Sequence, residues 1–274
     1  TMRSRGTNRP AGSAHYRAQA DARGRTVADR RWTGVGWTPM SHAHERWLLW
    51  RDTARTPADN MAVDETLLRA AGTLSGPLIR AYAWAQPAVS IGYFQPAALH
   101  RRPGTPVVRR PSGGGQVEHG DDLTFSMIIP TTSALFAVDR FESYRLINDV
   151  VRQALAALDV PCRLHAAEIP AGVDRERMAC FQTANRFDVV LDDGRKICGG
   201  AQCRRRYGML HQGSISLGAW SALRRGRTEG ALAEAFTEFF GRPAQVFEPA
   251  PELLQAAAGL AAERYATRAW TERR

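Results

Sequence analysis

Lys196 is the only lysine in this 274-residue chain, in which the other 36 basic residues are all arginine. Under such a bias, a lysine persists either by chance or where a compact cation on a slim stem is needed. Lys196 follows the tight-turn signal Asp192-Asp193-Gly194 and precedes Gly199 and Gly200. A lysine on a rigid strand beside bare backbone can hold its ammonium against a carbonyl or phosphoryl oxygen where negative charge develops.

The segment Arg109–His119 is a second candidate, because it has three consecutive glycines between two predicted strands. Glycine lets backbone amides approach a ligand with no side chain in the way, and Arg110 and Ser112 would add polar donors. The segment lacks the Gly-Lys-Ser/Thr ending of a P-loop and the spacing of a dinucleotide fingerprint. It predicts either a ligand-binding loop or a flexible hairpin loop. A third candidate, His211, interrupts an apolar strand and is on its own more typical of a structural histidine.

Strand and helix signals alternate from Trp47 onwards and must position these segments. Thr56 and Pro57 predict the start of a helix that runs to about Gly72, and Asp139 predicts the cap of a long amphipathic helix. Interleaved elements of this kind favour one α/β or α+β body. The predicted strands are 47–50, 78–82, 88–91, 107–108, 123–129, 187–191, 195–198 and 214–217, and two further helices are predicted over about 229–240 and 251–266.

Residues 1–40 predict a disordered, Arg-rich N-terminal extension, and residues 41–274 a single domain with C-terminal helices. The extension has few aliphatic residues and no periodicity. It fits either a transit peptide or sequence translated upstream of a start at Met40, and we favour the second. We expect nothing catalytic in it.

The net charge of +10 does not identify a partner, because half of the excess lies in residues 1–45. No aromatic stacking residues are interleaved with the arginines, so we expect no nucleic-acid binding. No stretch approaches the roughly 18 apolar residues of a membrane helix, so we expect no membrane partner. The four cysteines follow no signal-peptide pattern, which favours reduced thiols and a cytoplasmic location.

Five ordered motifs together resemble the lipoate–protein ligase and octanoyltransferase family. The resemblance runs from about Trp47 to about Leu217. It implies the α/β (α+β) catalytic fold shared with biotin protein ligase, in which mixed or antiparallel sheets are flanked by helices. The motifs are Asn60–Glu65, Arg109–His119, Asp122–Ser126, Gly194–Gln202 and His211–Ile215.

The resemblance also implies a medium-chain acyl group lying beside the glycine-rich segment. Lys196 would contact the acyl carbonyl, or the acyl-adenylate phosphate in the branch of the family that uses ATP. Gln116 and Glu118 depart from the small and the apolar residue that the ligases usually carry. The implied substrate-binding residues are Arg110, Ser112, Gly113, Gly114, Gly115, His119, Gly199, Gly200, Ala201, His211 and Gly213.

Cys180 is the implied catalytic nucleophile, because octanoyltransferases of this family form a thioester acyl-enzyme. In one subgroup the thiol lies just upstream of the hairpin that bears the lysine, as Cys180 does here. A nearby cation such as Lys196 would both activate the thiol and polarise the carbonyl. The alternative is a buried structural cysteine. Cys198 is a poorer candidate, and with Cys203 it lacks the paired spacing of a zinc site, so no metal site is expected.

The resulting hypothesis is an acyltransferase that attaches an octanoyl or lipoyl group to a specific lysine of a lipoyl carrier domain. The carrier would be a 2-oxoacid dehydrogenase subunit or the glycine cleavage carrier, with an acyl carrier protein as one candidate donor and no cofactor required. The alternative is a lipoate–protein ligase that needs ATP and Mg²⁺ and acts through lipoyl-AMP. Residues 218–274 are too few for the accessory domain typical of such ligases, which favours the transferase. A catalytically inactive binding module is disfavoured by the intact motifs.

Overall fold

The protein is described by a computed structural model that covers residues 45–221 and 223–273. The N-terminal extension predicted over residues 1–40 lies outside these residues. Among the helices described here, none is long and apolar enough to cross a membrane.

A large mixed sheet forms the centre of the described region, in the order β11-β1-β2-β6-β10-β9-β8-β7. β1 runs parallel to both β2 and β11, whereas the other neighbours in this sheet are antiparallel. The mixed character predicted for the sheets is confirmed. Its strands are β1 (Leu48–Arg55), β2 (Leu78–Trp84), β6 (Asp122–Pro130), β7 (Cys162–Leu164), β8 (Val189–Leu191), β9 (Lys196–Arg205), β10 (Gly208–Ser216) and β11 (Gln245–Val246).

A second sheet of three short strands has the order β4-β3-β5. Its central strand pairs in parallel with β4 and antiparallel with β5. The glycine-rich segment connects β4 to β5, so its two ends are fixed in this sheet. The strands are β3 (Ala88–Ile91), β4 (Val107–Arg109) and β5 (Val117–His119).

Helices cover both faces of the large sheet. They are α1 (Pro57–Arg69), α2 (Ala134–Ala137), α3 (Arg140–Ala156), α4 (Arg225–Phe240), α5 (Pro251–Leu260) and α6 (Arg268–Thr271), with a π-helical turn at Ala261–Tyr265 after α5. Phe125 on β6 belongs to the apolar core with α3 and α4, whereas Ile128 on the same strand packs with α1 and α5. This division follows from the two-residue period of a strand.

The predicted starts of α1 and α3 are confirmed by their caps. The Thr56 hydroxyl accepts a hydrogen bond from the backbone amide of Asp59, and the Asp139 carboxylate accepts two from the first turn of α3. Such caps satisfy amide groups that the helix itself leaves unpaired.

Several predicted boundaries differ from the structure. β1 extends to Arg55, and β9 and β10 form a hairpin longer than the predicted strands 195–198 and 214–217. The helix α4 begins at Arg225, before the predicted start at about 229, and the short elements α2, β5, β7, β11 and α6 have no counterpart among the predicted elements. In α6, the Trp270 carbonyl accepts a hydrogen bond from the Arg109 guanidinium, a contact between residues 161 positions apart.

Candidate active site

The floor of a narrow cavity is a row of four residues that lie side by side across the large sheet. Ser214 on β10 pairs with Gly199 on β9 and with Thr124 on β6, and Thr124 pairs with Tyr82 on β2. Residues paired in this way point to the same face of the sheet. Because neighbouring strands are about 4.8 Å apart, the row spans roughly 14 Å.

The small sheet closes this cavity from above. The volume of this cavity is about 30 Å³, and Ser90, Val117 and His119 line it from β3 and β5. Cys180 lines both this cavity and a wider cleft, so it lies where the cavity opens into the cleft. The arrangement is a narrow channel with a thiol at its mouth.

Arg110 holds the glycine-rich segment in one conformation. Its guanidinium donates to the carbonyl oxygens of Ser90 (2.8 Å), Gly113 (2.9 Å) and Gly115 (2.8 Å). Burial lowers the pKa of Arg110 to about 10, so the side chain stays charged at neutral pH. Gly114 has a φ of +85°, which favours glycine. The segment is therefore an ordered wall of the cavity and not a flexible hairpin loop.

Gln116 fixes the position of the nucleophile candidate. Its backbone amide donates to the carbonyl of Met178 (2.9 Å), and its carbonyl accepts from the amide of Cys180 (2.8 Å). Cys180 itself lies in the irregular connection between β7 and β8. This backbone pairing attaches that connection to the glycine-rich segment.

Two side chains that the sequence did not identify reinforce this attachment. The His100 ring lies 2.6 Å from both the Gln116 side-chain oxygen and the Glu176 carbonyl. The Gln95 amide nitrogen lies 3.1 Å from the Met178 carbonyl. The Gln116 side chain, which stands where the ligases usually carry a small residue, thus contacts His100. No local sequence signal predicts the contact between Gln116 and His100.

Cys180 and Lys196 are brought into direct contact, as predicted. The Lys196 Nζ lies 3.1 Å from the Cys180 Sγ and 2.7 Å from the Asp188 Oδ2, and the lysine side chain is only 4% exposed. Burial lowers the pKa of Lys196, but the negative charges of Cys180 and Asp188 raise it more, and it ends above its ordinary value. The lysine is therefore an ammonium that can stabilise negative charge on the sulfur.

Asp188 and Tyr144 were not predicted as site residues. The Tyr144 hydroxyl lies 2.7 Å from the Asp188 Oδ1 and 3.0 Å from the backbone nitrogen of Gly200. The one available signal was a single acidic residue within the apolar strand candidate 187–191. Nothing local distinguished Tyr144 from the other residues on the buried face of α3.

His119 lines the channel as a neutral ring. Its Nδ1 faces the Asp122 carboxylate at 2.9 Å, and its Nε2 lies 2.7 Å from the Ser90 hydroxyl. Burial lowers the pKa of His119 even though Asp122 opposes the shift. Burial raises the pKa of Asp122, but hydrogen bonds from His119, Thr124 and Ser214 outweigh this and bring it to about 2. His119 is thus oriented by a fixed carboxylate.

Ser112 and His211 do not line either cavity, although both were predicted to bind substrate. The Ser112 hydroxyl donates to the side-chain oxygen of Gln212 (2.6 Å). His211 is fully buried on the other face of the sheet from Gln212, because adjacent residues in a strand alternate. A Cβ atom on Gly200 would lie 2.5 Å from the His211 Nε2, so the two pack closely. Burial lowers the pKa of His211 to about 3, which makes it a neutral structural residue.

The remaining predicted residues line the channel, the wider cleft or both. They are Arg110, Gly113, Gly114, Gly115, His119, Cys180, Lys196, Gly199, Gly200, Ala201 and Gly213. Cys198 lies in the apolar core, where burial raises the pKa of its thiol well above the ordinary value. Cys198 is therefore no rival nucleophile.

The sequence of this region matches a known family model. Residues 56–224, more than half of the chain, match the model of the lipoyl protein ligase A/B catalytic domain. The chain belongs to this family. The matched region contains the channel, the glycine-rich segment, Cys180 and Lys196.

Curated relatives of this lipoyl protein ligase A/B domain include two named octanoyltransferase LipM. The protein of an Exiguobacterium species is 38% identical over 187 residues, which cover 62% of this chain and 66% of the relative. The protein of Symbiobacterium thermophilum is 38% identical over 181 residues, covering 61% and 65%. The chain thus spans slightly less than two thirds of the length of these relatives.

Solved structures of lipoate–protein ligases share the fold. A lipoate–protein ligase A bound with ATP superposes with a TM-score of 0.66 at 20% identity, covering 84% of this chain and 98% of that one. A bi-partite lipoate protein ligase from Thermoplasma acidophilum gives 0.64 at 20% identity, covering 84% and 97%. The predicted lipoate ligase-like fold is confirmed.

Gly199→Ala should impair the lipoyl protein ligase A/B site without unfolding it. An added Cβ would lie 2.3 Å from the Lys196 Cε, 2.5 Å from its Nζ and 2.9 Å from the Asp188 Oδ1, so the ends of both side chains must move. We expect a loss of acyl transfer of about 100-fold, the usual effect of misplacing one charge-stabilising donor. Steady-state acyl-transfer kinetics and thermal unfolding would measure this. Gly230→Ala, on an open face of α4, is the matched control and should leave the rate unchanged.

Proposed function

We propose that this protein is an octanoyltransferase that works through a thioester on Cys180. The observation that carries the proposal is the 3.1 Å contact between the Cys180 thiol and the Lys196 ammonium at the mouth of the channel. A ligase that activates its acyl group as an adenylate has no need of a thiol at this place. The names of the curated relatives support the same activity.

The first transfer loads the enzyme. The Cys180 thiolate attacks the carbonyl carbon of a thioester donor, a new C–S bond forms, and the donor sulfur leaves as a thiolate that takes up a proton. The acyl chain occupies the channel between Gly199 and Tyr82. Lys196 has three N–H donors, and those used by Asp188 and Cys180 leave one for the developing oxyanion.

The second transfer delivers the acyl group to the acceptor. The neutral amine of the acceptor lysine attacks the Cys180 thioester, a C–N bond forms, and the amine gives up one proton. The C–S bond breaks and regenerates the Cys180 thiolate beside Lys196. Two protein substrates therefore react in turn with one enzyme group, which predicts ping-pong kinetics.

The proposed acceptor is a lysine of a lipoyl carrier domain. The Thermoplasma acidophilum ligase with the same fold was studied together with its E2 lipoyl domain, which supports a carrier of this kind. A 2-oxoacid dehydrogenase subunit or the glycine cleavage carrier would serve. An acyl carrier protein is the proposed donor, and the proposed location is the cytoplasm.

The alternative ligase activity would require ATP and Mg²⁺. Asp188 is the carboxylate that contacts Lys196, and both of its oxygens are already engaged by Lys196, Tyr144 and the Asn185 amide. In the part of the chain that the structure describes, no group of three or more His, Cys, Asp or Glu side chains is placed to hold a metal ion. Asp188 is therefore not free to bind Mg²⁺, and the proposed thioester cycle requires none.

One experiment separates the two activities. A purified lipoyl domain is incubated with the enzyme and either an octanoyl–carrier thioester or free lipoate with ATP and Mg²⁺. The transferase is supported if the domain gains one octanoyl mass with the thioester and no lipoyl mass with lipoate and ATP. Modification only in the second reaction would establish the ligase instead.

A further inference from the structure

Asp188 is held from three sides. Its Oδ2 accepts from the Lys196 ammonium (2.7 Å) and from the backbone amide of Asn185 (2.7 Å), while its Oδ1 accepts from the Tyr144 hydroxyl (2.7 Å). The carboxylate side chain is only 1% exposed. Its orientation is therefore fixed before any substrate arrives.

We propose that Asp188 and Tyr144 are positioning residues that keep the Lys196 ammonium charged and directed at the Cys180 sulfur during acyl transfer. This inference rests on the proposed octanoyltransferase activity. It assigns roles to two residues that are not among the site residues implied by the family resemblance. Neither residue needs to touch the reacting atoms.

The need for such support follows from the chemistry of lysine. A lysine side chain is a flexible four-carbon stem, and a buried ammonium is costly unless it is paired and hydrogen-bonded. Asp188, which lines the wider cleft together with Lys196, supplies the opposite charge. The ammonium is then fixed between a carboxylate and the Cys180 sulfur, with its remaining N–H available to the substrate carbonyl.

Tyr144 connects this pair to the wall of the channel. Its oxygen accepts from the Gly200 amide (3.0 Å), and its single hydrogen can be donated to Asp188. Gly200 and Gly199 line the channel beside Cys180. The Tyr144 hydroxyl thus holds both the Asp188 carboxylate and the backbone of β9 at Gly200.

Several charged or titratable groups surround Lys196. Asp188 and Cys180 contact the ammonium directly, and the Phe181 ring lies 6.0 Å from it. Asp188 raises the pKa of Lys196 by its charge and its hydrogen bond, against the lowering by burial. The other groups are Tyr144 on α3, Cys198 on β9, and Arg140, Glu168, Arg175, Glu176 and Arg186 lining the same cleft.

The test measures the single-turnover rate at which an octanoyl thioester acylates Cys180, as a function of pH. Asp188→Asn keeps the shape of the side chain and removes its charge. We expect the maximal rate to fall about 100-fold with little change in the concentration of donor at half-saturation. Loss of the carboxylate lowers the pKa of Lys196, so the rate of the variant should decline at alkaline pH relative to the wild-type rate at the same pH.

Tyr144→Phe is the second variant, because it keeps the ring and the carboxylate but removes the orienting hydroxyl. We expect a fall of about tenfold in the maximal rate, a typical effect of losing an orienting partner. The alkaline decline should be absent, since Asp188 still faces Lys196. Asp193→Asn, at the exposed turn before β9, is the matched control and should behave as wild type.

Thermal unfolding shows whether each variant is folded before its rate is interpreted. The inference is overturned if folded Asp188→Asn acylates Cys180 at the wild-type rate, or if its slower rate shows no alkaline decline. If the wild-type protein itself gains no octanoyl group from the thioester, the proposed function fails. That outcome is distinct from the two results for Asp188→Asn that overturn the inference.

Discussion

Cys180→Ala is expected to lose acyl transfer by about 10⁴-fold or more, because it removes the one group that can carry the acyl chain between two protein substrates. The channel and Lys196 remain in this variant, so the loss would report the thiol alone. Cys180→Ser should fail as well at neutral pH, since a hydroxyl with no adjacent base is far less ionised than a thiol.

Intact-mass spectrometry gives the direct measurement. Wild-type protein exposed to an octanoyl thioester should gain one octanoyl mass that hydroxylamine removes, and Cys180→Ala should gain none. Cys162→Ala is the matched control, because Cys162 is also half-buried but lies on β7, and burial raises the pKa of its thiol to about 11. The ligase activity would be established instead if the thioester leaves the wild-type protein unmodified and if both wild type and Cys180→Ala lipoylate the carrier domain with ATP.

Lys196→Arg is expected to lose about 10³-fold in acyl transfer although it keeps the positive charge. The Lys196 ammonium fits between Asp188 and Cys180 at 2.7 and 3.1 Å, in a site that is 4% exposed. A planar guanidinium is wider and cannot direct donors at both neighbours and at the substrate oxygen. A factor of 10³ corresponds to about 4 kcal/mol of transition-state stabilisation.

The same acylation assay measures this effect, with thermal unfolding as the check on folding. Arg195→Lys is the reciprocal control, because Arg195 is exposed beside Lys196 in sequence and should tolerate the exchange. A folded Lys196→Arg protein with near wild-type turnover would show that charge alone is sufficient at this position.

Local signals predicted the parts of the fold that depend on neighbouring residues. Thr56 and Asp139 were identified as helix caps because a cap satisfies amides within three residues of it. The Asp192-Asp193-Gly194 turn was found for the same reason. The contact of Cys180 with Lys196 followed from the family resemblance and is present in the structure.

The rest depended on contacts between distant residues. The central strand β10 is longer than the predicted strand 214–217, because polar residues interrupt its apolar pattern. The side-chain amide of one of them, the buried Gln212, donates to Asp64, 148 positions away. The role of Asp188 depends on Tyr144, 44 positions away in another element. The assignment of His211 to the substrate site rests on the family resemblance of the motif His211–Ile215, whereas strand alternation places its ring on the face of the sheet opposite to Gln212.

The burial of the single lysine has a consequence for the enzyme as its own substrate. A protein that carries an activated acyl thioester and transfers it to lysine could also modify lysines on its own surface. Here the sole ε-amine of the chain is Lys196, which is 4% exposed and held as an ammonium, and an ammonium has no lone pair for attack. For the octanoyltransferase proposed above, autoacylation of a lysine side chain is therefore prevented, and acyl-lysine found in a reaction mixture belongs to the acceptor.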